Sequence, residues 1–142
     1  MMSQLSEEFT RDGAVVLRNL LTASQVKILQ AGIDANLADP SSNAKTASSP
    51  DDPGQFIEDF CNWQRNPKYR EVIFHSRVPA VAAELMGSRT ARFHHDHMLT
   101  KESGTRQRTP WHQDQPYYNI EGRRIGSSPG RWSRATPWRS TC

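Results

Sequence analysis

At 142 residues the chain is at most one ordinary domain. A mean hydropathy of -0.76 and 35% hydrophobic residues leave material for only a modest core. The net charge of +3 invites a nucleic-acid partner, but residues 123–142 hold five arginines and no acid, which leaves 13 basic against 15 acidic groups elsewhere. No nucleic-acid partner is therefore expected. No apolar run has the length to cross a bilayer, so no membrane association is expected either. Residues 1–8 are polar and acidic, and no signal peptide is expected there. Cys61 and Cys142 stand in no metal spacing, and a reduced, cytoplasmic protein is the expectation.

Ser6 to Phe9 suits a short helix stopped by Asp12-Gly13. The β-branched apolar run Ala14-Val15-Val16-Leu17 predicts a strand. Thr22 and Gln25 have the spacing of a capping box, and Val26, Leu29, Ile33 and Leu37 follow at helical spacing up to Asp39-Pro40. Residues 39–54 carry Ser, Asp and Pro without periodicity and read as a loop. Phe56, Phe60 and Trp63 suit one face of a further helix. Asn66-Pro67 is an N-cap followed by proline at the first helical position, opening a helix through Tyr69, Val72 and Ile73. Pro79 opens another, with Val81, Ala82 and Leu85 inside it and Gly87 as its stop. His75 and the aromatics Trp63, Tyr69, Phe74 and Trp111 are expected to pack.

Near residue 90 the period changes. Arg92 to Lys101 predicts a strand with Phe93, His95, His97, Leu99 and Lys101 on one face. Arg92, His94, Asp96, Met98 and Thr100 take the other, where His94 and Asp96 are expected to make structural hydrogen bonds. A polar loop containing Gly104 follows. Trp111 to Tyr118 predicts the next strand, with His112 and Asp114 on one face.

A histidine and a carboxylate two residues apart on a strand aim the same way. Non-haem Fe(II) oxygenases use this pair with a second histidine, leaving the other iron positions open. The bare pattern is weak: roughly 0.3 such pairs arise by chance with this composition, and His94 and Asp96 form a second one. Context favours Trp111-His112-Gln113-Asp114-Gln115-Pro116-Tyr117-Tyr118. With the upstream Phe93-His94-His95-Asp96-His97-Met98-Leu99-Thr100-Lys101 and the opening Phe9-Thr10-Arg11-Asp12-Gly13-Ala14-Val15-Val16, this block resembles the phytanoyl-CoA dioxygenase family of Fe(II)/2-oxoglutarate oxygenases.

The resemblance implies an α+β fold: N-terminal helices followed by a double-stranded β-helix, or jelly roll. It implies that His112 and Asp114 bind Fe(II) and that Lys101 helps hold 2-oxoglutarate, with O2 as the other cosubstrate and a small organic molecule as substrate. The family also uses a distal histidine and an arginine beyond it, and no histidine follows His112. The likeness covers residues 5–122. Residues 1–122 are thus expected to be a partial domain whose jelly roll lacks its C-terminal half. Residues 123–142, rich in Arg, Ser and Pro, are expected to be a disordered tail unrelated to the family, as from a shifted reading frame. Weak or absent turnover is the expectation. The alternative is a catalytically dead binding module built on the same fold.

Overall fold

The computed structural model describes residues 2–119 and Gly126. The boundary expected at residue 122 and, Gly126 apart, the tail beyond it lie outside the described residues. Within them the architecture is α+β: four helices and a three-stranded antiparallel sheet.

Helix α1 spans Met2–Asp12, longer than the sequence spacing predicts, and its C-terminus turns at Gly13 with φ of 74°. The strand expected at residues 14–17 does not form. These residues are irregular and pair with no strand among the described residues, and Val16 is 71% exposed. A β-branched run without a neighbour to pair with has no ladder to join.

Helix α2, Ala23–Ala38, begins at the expected capping box. The Thr22 hydroxyl accepts from Gln25 N at 3.2 Å, and Gln25 Oε1 accepts from Thr22 N at 3.0 Å. Helix α3, Pro67–His75, is capped by Asn66, whose Oδ1 accepts from Lys68 N and Tyr69 N. Helix α4, Val78–Leu85, is followed by Gly87 in the left-handed region at φ 60°. His75 proves to be an exposed helix-end residue rather than a packing one.

Strand β1, Lys45–Thr46, lies in the segment expected to be loop. Strand β2, Phe56–Phe60, replaces the helix predicted there. A spacing of four residues is even, so Phe56 and Phe60 share a face in a strand as well as in a helix. β2 is central, flanked by β1 and by β3, His97–Lys101, in the order β1-β2-β3. The register sets Phe56 opposite Lys101 and Phe60 opposite His97. β3 starts five residues later than expected because Asp96 is used otherwise. Its carboxylate accepts from Asn62 N at 3.1 Å and Trp63 N at 2.8 Å, the structural role expected of it.

The core is small: Phe56, Tyr69, Val72, Val81, Ala83 and Met98. Helices α2 and α3 meet at Gly32, where a methyl group would come within 2.8 Å of the Tyr69 ring. Beside this contact lies a buried polar knot. Asp59, 0% exposed, accepts from Asn36 Nδ2 at 2.8 Å, from Ser41 N at 2.8 Å and from the Ser41 hydroxyl. Asn36 accepts in turn from the Tyr69 hydroxyl at 3.1 Å. Burial by itself would raise the Asp59 pKa, but the hydrogen bonds from Ser41, Asn62 and Asn36 outweigh it and hold the carboxyl below its usual range. Tyr69 is pushed up, by burial first and then by the charges of Asp96 and Asp59.

Candidate functional site

The strand predicted over Trp111 to Tyr118 is not formed. Residues 111–113 are irregular, and Gln115–Tyr117 is a single 3-10 turn. Pro116 supplies a reason: it has no N–H for a ladder. Instead Tyr117 N donates to Asp114 O at 3.0 Å, closing the turn. Trp111, expected to pack, is fully exposed, and Tyr117 is 76% exposed.

His112 and Asp114 nevertheless come together, through a turn rather than a pleat. His112 Nε2 lies 3.2 Å from Asp114 Oδ1, with both side chains partly exposed. His112 Nδ1 lies 2.8 Å from Pro110 O. A carbonyl oxygen only accepts, so Nδ1 carries the proton. In the neutral imidazole Nε2 then presents its lone pair toward the carboxylate. Two acceptors at this distance need a positive charge between them, either a second proton on the ring or a cation. This is the tautomer a metal-ligating histidine adopts when its other nitrogen is tied to a backbone carbonyl.

The pair lines an open concavity with Thr109, Pro110 and Trp111. Among the described residues no group of three or more His, Cys, Asp or Glu side chains gathers around a common point. The donor chemistry therefore fits two positions of an iron centre and leaves the others to be filled from elsewhere.

Lys101 ends β3. Its ammonium sits 4.4 Å from the centroid of the Phe56 ring, directly across the register. It donates to Thr109 Oγ1 at 2.9 Å and to Gln107 O at 3.4 Å. The sequence reading missed Thr109 because this contact depends on where β3 ends, which no local pattern encodes.

The other histidines of the segment are engaged elsewhere. His97 stacks on Phe60 at 3.8 Å between ring centroids and meets Glu58 Oε2 at 3.2 Å. The His95 ring contacts His94 and Tyr118, with centroids 4.8 and 5.0 Å away. Burial lowers the His95 pKa, and the neighbouring charges of His94 and His97 lower it further. Tyr118 is raised, by burial and then by the charge of Asp114.

Helices precede a small antiparallel sheet, a His-x-Asp pair lies just beyond it, and the class of protein is identified by sequence comparison. The sequence model of the phytanoyl-CoA dioxygenase family matches residues 9–135, and the chain belongs to that family. It is similar to the ectoine dioxygenase of Stutzerimonas stutzeri strain A1501, 28% identical over 121 residues. That alignment covers 84% of this chain but 39% of the relative, so the chain spans about two fifths of that enzyme's length. No solved structure matches the chain significantly. No helix among the described residues is long and apolar enough to cross a membrane.

Proposed function

We propose that the chain carries part of the active site of an Fe(II)/2-oxoglutarate-dependent oxygenase acting on a small organic substrate. The observation that carries the reading is the convergence of His112 Nε2 and Asp114 Oδ1 at 3.2 Å with Nδ1 tied to Pro110 O. Family membership supplies the chemistry to which this pair belongs. Bound Fe(II), with O2, would couple oxidative decarboxylation of 2-oxoglutarate to hydroxylation of a C–H bond.

The chain's own contributions are binding and orientation. His112 and Asp114 hold two positions of the metal, and the Pro110 carbonyl fixes the ring so that Nε2 faces it. Lys101, a cation at the end of β3, suits a carboxylate of 2-oxoglutarate. The partial jelly roll enters here as the frame the family implies, with β2 and β3 as two of its strands. The two ligands found among the described residues hold a metal less firmly than three would, and weak or absent turnover is the expected outcome. We assign the reaction to the cytoplasm, to which the free Cys61 is suited.

The test measures succinate released with Fe(II), ascorbate and 2-oxoglutarate, beside a metal titration with Co(II). His112-dependent Co(II) binding with little succinate is the expected result. Robust succinate formation would overturn the incompleteness of the site. Co(II) binding that ignores His112 would overturn the site itself.

A further inference from the structure

We propose that Thr109 is a positioning residue for the metal-ligand loop, acting through the ammonium of Lys101; the proposal rests on the oxygenase reading. Three observations carry it. Lys101 is the last residue of β3, and its register partner on β2 is Phe56, 6% exposed and part of the core. The ammonium lies 4.4 Å from the centroid of that ring, so the cation is held against a core residue of the sheet. From this fixed point it donates to Thr109 Oγ1 at 2.9 Å and to Gln107 O at 3.4 Å.

The loop has little else to hold it. Thr105 Oγ1 and Arg106 N reach Asp52 Oδ2 at 3.4 and 3.1 Å. The next hydrogen bond along the chain that does not involve Lys101 is the internal one from His112 Nδ1 to Pro110 O. Among the described residues, the two Lys101 bonds are therefore the hydrogen bonds joining residues 107–114 to the sheet. Thr109 stands three residues before His112, on the wall of the same concavity. Where its hydroxyl goes, the ligand pair follows.

An ammonium has three donors. Thr109 and Gln107 take two, and the third remains for a carboxylate. One side chain thus serves both the loop and the cosubstrate. Ligands held by a supporting contact lose affinity when that contact goes, even though the ligands themselves are untouched.

The experiment compares the unaltered protein with Thr109→Val, Thr109→Ser and His112→Ala. Each is titrated with Co(II) alone, and backbone amide exchange is read without metal. Valine keeps the shape and removes the acceptor. Thr109→Val is expected to weaken Co(II) binding about tenfold and to speed exchange over residues 107–114 while leaving β2 unchanged. Serine restores the acceptor and is expected to rescue both. A valine variant that binds Co(II) and exchanges like the unaltered protein would overturn the positioning role. If His112→Ala binds Co(II) as the unaltered protein does, the oxygenase reading fails and exchange alone decides. Faster loop exchange in valine, reversed in serine, then upholds the tie; unchanged exchange overturns it.

Discussion

Asp59 belongs to β2 and Asp114 to the loop beyond β3, and the surroundings of these two carboxylates differ. Asp59 is 0% exposed and accepts from Asn36, from Ser41 twice and from Phe60 N. Asp114 has a side chain 46% exposed and faces one imidazole. The first carboxylate is satisfied by neutral donors that arrive from α2, from the loop before β1 and from its own strand. The second meets a single ionisable partner, His112, within its own loop. A buried, saturated carboxylate ties elements together and has nothing left to bind. An exposed one contributes little to the fold and is open to a ligand from solvent. Stability and function are thus expected to separate between these two regions.

The sharpest way to break the comparison is Asp59→Ala. It leaves buried donors from Asn36 and Ser41 without partners, at about 1–3 kcal/mol each. Denaturant melts are expected to show a loss of roughly 3 kcal/mol or more. A variant as stable as the unaltered protein would show that the knot is a passenger. Acid tests the same group without mutation. The folded pKa of Asp59 lies below its unfolded value near about 3.9, so the folded state favours the ionised form. Its contribution is complete above about pH 4 and is lost as pH falls through the folded value. Melting temperature should drop over that acid range, and Asp59→Asn should flatten the drop relative to the unaltered protein.

Gly32→Ala is a smaller challenge to the same region. The added methyl would lie 2.8 Å from the Tyr69 ring, whose hydroxyl belongs to the knot. Overpacking of this kind costs about 2 kcal/mol, read as a shift in the melting midpoint. Tyr69→Phe, which keeps the ring, removes only the hydrogen bond to Asn36 and separates the packing cost from the polar one.

The contrast also explains what the sequence disclosed. Thr22 with Gln25, Asn66 with Pro67, and Gly87 are local signals, each complete within one turn, and each marks a helix end in the structure. Phe56 and Phe60 were ambiguous because a spacing of four satisfies both periods, and only the flanking strands decide. Asp59 gave no sign at all. Its partner Asn36 is 23 residues away and Ser41 is 18 away, so the knot exists only once the chain has folded. In the site the proximity of His112 and Asp114 was legible from their spacing, but its cause was not. Pro116 within the predicted strand was the residue that argued against a ladder. Thr109 was invisible because its partner is chosen by the end of β3.

The smallest expected effect on stability is at the site itself. His112 makes one hydrogen bond to the carbonyl two residues before it and one contact to Asp114, both within its own loop. Its ring approaches Tyr117 at 6.4 Å between centroids, and Tyr117 is itself exposed. No core residue loses a neighbour when this imidazole is cut back. His112→Ala should therefore change the metal-free melt by less than about 0.5 kcal/mol while abolishing Co(II) binding. Asp59→Ala should do the reverse to the fold at any metal concentration. If His112→Ala instead destabilised the metal-free protein as much as Gly32→Ala, the loop would be carrying structure. The separation between a buried, saturated knot and an exposed site would then be wrong, because the imidazole and carboxylate would be held together by the demands of the fold.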